Sequence, residues 1–167
     1  MRTAIVMLGA SIVAAVSIVA PVSSASTSTA QKDIAQVAAS SPQFSTLVSL
    51  LKKAGLVGAL KQGTYTVFAP TNAAFAKLPK STLQAVSTDR ALLKKVLTYH
   101  VVKGKAPAAK VVTLDGKSVK TLEGQGVRVS IRGGKVYLNG SSLVTKTDIM
   151  ASNGVIHVIN RVLIPKS

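Results

Sequence analysis

Two histidines, five acidic side chains and no cysteine bound the chemistry open to this chain of 167 residues. Without Cys there can be no thiol nucleophile, no disulfide framework and no zinc-finger spacing, so stability has to come from packing. No His-Glu-x-x-His, phosphate-binding loop or Gly-x-Ser-x-Gly occurs, so no catalytic residue is assigned and no metal or cofactor site is read. Ser49-Leu50-Leu51-Lys52 has the Ser-x-x-Lys spacing of penicillin-binding enzymes. Its companion motifs are missing and it falls inside an amphipathic helical pattern. A Ser-His-Asp triad on His100 or His157 needs a hydroxyl and a carboxylate brought to the imidazole. No spacing in the chain points to one. Asn139-Gly140-Ser141 fits the N-glycosylation pattern, and reads better as a hairpin turn.

Charge is the second chemical feature. Lys and Arg number 21, for a formal net charge of +16. The lysines are scattered from Lys32 to Lys166 without a long basic block. Such a field draws polyanions and weakens with salt. Nucleic acid is not the expected partner, because the three Phe and three Tyr occupy core-like positions and leave few stacking platforms. Anionic surface polymers or acidic polysaccharides fit better. Solubility alone is the other account of the same charge.

The first 25 residues read as a secretory signal peptide. Arg2 supplies the positive end, Ala4 to Ala20 is apolar, and Ser23 and Ala25 are the small residues a signal peptidase reads. An uncleaved membrane anchor is the alternative, and this run is marginal in length for it. Removing Arg2 with the leader leaves 20 basic residues against 5 acidic, a net +15. Residues 26–31 form a short polar linker. Residues 32–167 form one domain, since 47% hydrophobic content supplies one core and the length does not allow two.

The elements that must position any site are set by local signals. Asp33 to Ala38 places Ile34, Val37 and Ala38 on one helical face. Ser41-Pro42 opens a second helix carrying Phe44, Leu47, Val48 and Leu51, which Gly55 ends. Leu56, Val57 and Leu60 make a further turn. Thr64 to Ala69 is a strand, Thr71 caps a helix over Asn72 to Ala76, Ser81 caps the next, and Asp89 caps a longer one to Tyr99. His100-Val101-Val102 leaves as a strand.

The second half is β-rich. Lys117 to Leu122 is a short strand, Val127 to Ile131 alternates, and Arg132-Gly133-Gly134-Lys135 is a hairpin leading to Val136-Tyr137-Leu138. Asn139-Gly140 turns again, and Ser142 to Thr147 leads back to the last strand. The run from Asp148 to Pro165 is the most apolar of the domain. Ser152-Asn153-Gly154 breaks it as a turn, read on the tolerance of Asn and Gly for positive φ. The residues beyond that turn lack polar alternation, which suggests a central strand covered on both faces. Helices first and antiparallel strands second make the fold class α+β.

Three collinear boxes resemble the fasciclin domain family: Thr66-Val67-Phe68-Ala69-Pro70-Thr71-Asn72-Ala73-Ala74-Phe75, Tyr99-His100-Val101-Val102, and Asn153 to Pro165. The resemblance covers nearly all of the domain. It implies a fasciclin-like wedge of antiparallel β-strands flanked by several short helices. It also implies a secreted or surface-associated, non-catalytic adhesion module, extracellular or periplasmic, that contacts matrix or cell-surface macromolecules. Tyr99 with His100, and Asp148 with Ile149, are the adhesion determinants it implies, and Met150 matches some animal members. Electrostatic binding of anionic polysaccharide is the alternative function and a secreted hydrolase a remote one. Each residue also has a plainer reading: Tyr99 and His100 bracing a helix–strand junction, His157 in the core, Asp148 accepting backbone amides, and Ile149 packed inside.

Overall fold

The computed structural model describes residues 32–166. The leader read over residues 1–25 and the linker over 26–31 lie outside the described residues.

Local capping chemistry starts three of the six α-helices among the described residues. Asp33 opens α1 (Ile34–Ala39), its carboxylate accepting from Gln36 N at 2.8 Å while Gln36 Oε1 accepts from Asp33 N at 3.1 Å. Pro42 begins a 3₁₀ turn, Pro42–Phe44, that runs into α2 (Ser45–Ala54). Ser41 does not cap it; its hydroxyl turns back to donate to Val37 O instead. A second 3₁₀ turn, Ala59–Lys61, precedes β1 (Tyr65–Pro70). Thr71 caps α3 (Asn72–Ala76) by accepting from Ala74 N at 3.3 Å. α4 (Lys80–Thr88) starts behind Pro79, so Ser81 lies within its first turn and is not the cap. Asp89 caps α5 (Arg90–Tyr99), accepting from Ala91 N and Leu92 N. His100 ends this helix, and β2 (Val101–Lys103) begins only after it.

A short helix, α6 (Ala108–Val111), and a 3₁₀ turn over Val112–Leu114 fill a stretch the sequence pattern leaves unread. Then come β3 (Ser118–Lys120), β4 (Gly126–Arg132), β5 (Lys135–Leu138), β6 (Ser142–Ala151) and β7 (Gly154–Ile159). Arg132 pairs with Lys135 across a two-residue turn, with Gly133 at φ 56° and Gly134 at φ 73°. That is the type I′ geometry whose twist suits a hairpin.

The seven strands form one sheet in the order β2-β1-β7-β6-β5-β4-β3. Every neighbouring pair is antiparallel except β1 and β7, which run parallel from Tyr65↔Gly154 to Pro70↔Ile159. The sheet curls until its ends meet: Val102, at one edge, bridges Thr121 beside β3, and Leu122 N donates to Val101 O at 2.8 Å. Closure of this kind removes most of the exposed edge.

β7 divides two cores. Ile156 and Val158 face a cluster with Val67, Ala69, Phe44, Leu47, Leu93 and the helices. Ile159 faces a second cluster inside the curl, with Phe68, Val127, Val129, Leu138 and Leu163. Each of the six residues of β7 is buried. A strand covered on both faces has no wet side on which polar residues could alternate, which is why this run reads as continuously apolar. The strand is shorter than the apolar run. Asp148 to Ala151 belong to β6, and Val162 and Leu163 are buried in irregular chain beyond β7.

The Ser152–Gly154 turn joins β6 to β7 where expected, for another reason. Neither Asn153 nor Gly154 has a positive φ. Asn153 Oδ1 accepts from Ile34 N at 3.0 Å and its Nδ2 donates to Leu60 O, so the side chain ties the turn to α1 and the second 3₁₀ turn. Gly154 is needed for close approach to β1.

Candidate functional site

Asp148 sits on a break in the β6 ladder. The register with β7 shifts between Lys146 and Ile149, and Asp148 takes a φ of 56°. Asp and Asn are the residues that tolerate this region best among those with a Cβ. The irregularity turns the carboxylate across to α6, where Asp148 Oδ1 accepts from Ala108 N at 2.8 Å. Pro107 stands at the N-cap of α6 and has no side-chain acceptor. Asp148, forty positions along the chain, supplies what the local sequence lacks. It is exposed, Ile149 beside it is half-buried against the helical core, and Met150 is 61% exposed.

His157 backs this corner. Its Nε2 lies 2.7 Å from Ala106 O and its Nδ1 accepts from Asp148 N at 3.4 Å. The ring is therefore the Nε2–H tautomer, because a carbonyl can only accept. It stacks on Phe68 at a centroid distance of 5.8 Å. Burial holds its pKa below the usual histidine value, against smaller opposing pulls from the Ala106 carbonyl and the Asp148 charge. Asp148 and His157 together pin the Ala106–Ala108 segment to the sheet. Thr66 adds a third tie, its hydroxyl accepting from Ala106 N and donating to Gly104 O.

Tyr99 and His100 are elsewhere and inside. They are 3% and 2% exposed. Tyr99 accepts from Asn139 Nδ2 at 3.1 Å and donates to Gly126 O at 3.3 Å, linking α5 to the β4 and β5 ends. His100 Nδ1 lies 2.7 Å from Val96 O, and its Nε2 accepts from Leu163 N at 2.9 Å. It is the Nδ1–H tautomer and clamps the C-terminal segment to α5. Desolvation lowers its pKa to about 4, against the Val96 hydrogen bond that raises it. Phe68 joins the two regions through the core: its amide donates to His100 O at 2.9 Å and its ring meets His157. The four residues singled out by resemblance thus do not share a surface. Only the Asp148–Ile149 corner, with Met150, faces outward.

The nitrogens of both imidazoles are turned to backbone groups. Neither ring is set to take a proton from a hydroxyl, which a triad requires. Ser49, of the Ser-x-x-Lys match, donates to Ser45 O within α2. Among the described residues no group of three or more His, Asp or Glu is placed to hold a metal ion, and no helix is long and apolar enough to cross a membrane. The side chains that sequence reasoning missed are Thr66, Asn139 and Asn153. The sequence pattern marks Asn139 as a turn residue and a glycosylation match, yet it also holds the Tyr99 hydroxyl and accepts from Arg128 N. For Thr66 and Asn153 a polar residue inside an apolar box was the available signal, and for Asn139 the turn it forms.

This architecture has known counterparts. The model of the fasciclin domain matches residues 42–165. Protein sll1483 of Synechocystis is 45% identical over 149 residues, covering 87% of this chain and 80% of that protein. The cell surface glycolipoprotein MPB83 of Mycobacterium bovis is 38% identical over 141 residues, covering 81% of this chain and 62% of its own. A solved FAS1 domain pair from the insect cell adhesion molecule fasciclin I superposes with a TM-score of 0.67 at 19% identity, over 80% of this chain and 51% of that one. The strand that splits two cores, the buried Tyr-His junction and the strand-to-helix turn at Thr71 all fall inside the matched span, and the chain belongs to the fasciclin domain family.

Proposed function

We propose that this chain is a secreted or surface-exposed adhesion module, non-catalytic, that meets matrix or cell-surface macromolecules through the corner formed by Asp148, Ile149 and Met150. The observation that carries this reading is the break in β6. It puts a carboxylate in a left-handed backbone position and leaves a methionine 61% exposed beside it. Met150 beside the Asp148 carboxylate offers a partner one apolar and one charged contact, and Met is among the residue types enriched at interfaces. A relative named as a cell surface protein supports the location. Tyr99 and His100 serve this reading from behind, holding α5 and the C-terminal segment in place.

The test has to separate contact from structure, because Asp148 also caps α6. Asp148→Ala removes the cap and should cost about 1 kcal/mol of stability, so its effect on attachment is ambiguous. Asp148→Asn keeps an oxygen for the Ala108 amide and removes the charge. Paired with Met150→Ser, it should leave the melting temperature close to that of the parent and reduce attachment of the pure protein to cells or matrix severalfold. Full attachment by the folded double variant would remove this corner from the contact surface.

A further inference from the structure

We propose that the furrow on either side of Ile164 is a binding site for a linear acidic polysaccharide; this deepens the adhesion reading by naming a ligand class and a second contact. Two depressions adjoin at Ile164, which is 47% exposed. One, of about 640 Å³, carries Arg128, Lys166 and Ser118 on its wall. The other, of about 520 Å³, carries Lys77 and Arg161. Neither is lined by a carboxylate.

That absence of carboxylate has a structural origin. Each of the five acidic side chains accepts a backbone amide: Asp33 from Gln36, Asp89 from Ala91, Asp115 from Ile131 and Asp148 from Ala108, all outside the furrow lining, and Glu123 from Gln125, a lining residue, with its carboxylate turned to Lys95. The ion pairs among the described residues are Lys61–Asp33 and Lys95–Glu123, so none of the four furrow cations is neutralised by one. Lys77 makes one long contact, 3.4 Å to Asn160 O.

The wall is also built, not draped. Gln125 grips the last described turn of chain at both ends of its amide: Nε2 donates to Lys166 O at 2.7 Å and Oε1 accepts from Lys166 N at 3.0 Å. The floor is the Tyr99 hydroxyl held by Asn139. Cations spaced along a furrow, with hydroxyl and amide groups between them and an apolar side chain at its waist, match a chain of anionic sugar rings: charge for carboxylate or sulfate groups, Ile164 for the apolar face of a ring. A nucleic acid would want aromatic faces, and Tyr99, the one aromatic on the lining, is 3% exposed and offers only its hydroxyl.

The probe is a short heparin-derived oligosaccharide, with its affinity measured for the full chain by calorimetry. Arg128→Glu combined with Arg161→Glu reverses two furrow charges. Lys94→Glu combined with Lys146→Glu makes the same net change on α5 and β6, outside the furrow lining, and is the control. All four side chains are exposed, so the variants should fold. The furrow variant should lose about tenfold or more in affinity at physiological salt, and the control less than about twofold. Lys166→Glu alone should fall between. Equal losses in both double variants would overturn the furrow and leave a delocalised charge effect. A parent protein that attaches to matrix but does not bind the oligosaccharide would overturn the furrow while the adhesion reading stands. A parent that does neither overturns both. Equal affinity for a single-stranded oligonucleotide, with the same dependence on Arg128 and Arg161, would overturn the assignment to polysaccharide.

Discussion

Gly154→Ala should fail to fold or lose most of its stability, the largest effect expected of any single methyl group in this protein. A Cβ at position 154 would stand 1.8 Å from Tyr65 O and 2.7 Å from Ile34 Cδ1. The first of these is backbone and cannot rotate away. To admit the methyl, β7 has to part from β1, which breaks the parallel pair at Tyr65↔Gly154 and the bond from Tyr65 N to Asn153 O at 3.0 Å. It would also push α1 off through Ile34, which is 1% exposed. The expected cost is above about 4 kcal/mol, a large share of the roughly 5–15 kcal/mol that holds a domain together. Gly58→Ala is the matched control. It has nothing within 4 Å and an ordinary backbone at φ −65° and ψ −42°. There alanine should be neutral or stabilising by up to about 1 kcal/mol through the unfolded chain. Denaturant titration of both variants decides the matter. A Gly154→Ala protein within a few degrees of the parent's melting temperature would refute the close approach of the two strands.

Acid should loosen the fold well before the pH at which carboxylates dominate, and His100 should be the main cause. Its folded pKa is about 4 against an ordinary value of 6.5, because the ring is enclosed and the imidazolium would be stripped of water. The unfolded chain therefore takes up a proton between those two values and the native chain does not. Stability is complete above pH 6.5, falls as pH drops toward 4, and loses no more from this group below that. A shift of this size is worth on the order of 3 kcal/mol across the window. His157 acts in the same direction, its pKa being lowered by burial too. His100→Gln keeps a donor for Val96 O and an acceptor for Leu163 N but cannot titrate. Its stability should fall less steeply over the same pH range, even where its absolute stability is lower. Parallel pH slopes for parent and variant would show that His100 is not the buried neutral clamp of the C-terminal segment. Tracking the His100 ring protons by NMR gives an independent check, since they should not move until the pH nears 4.

Much of the molecule was readable because its signals are local. Thr71 and Asp89 cap the helices they precede, and Gly133-Gly134 makes the hairpin. In each case the partner atom lies within four residues, so neighbouring side chains and φ preferences settle the matter. The two-sided burial of Gly154–Ile159 was readable for a related reason: lack of polar alternation is the imprint of cover on both faces. The order of helices before strands carried the α+β class, and the resemblance of the three boxes sharpened it to the fasciclin-like wedge.

What stayed hidden depends on atoms distant in sequence. α6 is four residues long and takes its cap from Asp148, so no local pattern announces it. The parallel pairing of β1 with β7 joins segments separated by most of the chain, and alternation carries no sign of strand direction. Tyr99 and His100 look identical in sequence whether they face water or Leu163. The amino acids by themselves determined where α3 and α5 begin and where the Gly133-Gly134 hairpin turns, that one late strand is buried on both sides, and that positive charge far exceeds negative. Tertiary structure alone decided that both histidines are neutral clamps, that the acids are held on backbone amides and line neither depression at Ile164, and that Asp148 rather than Tyr99 faces outward. The reason is one of range: propensity and capping act over a turn of chain, whereas burial, protonation and exposure are set by whatever the completed fold brings alongside.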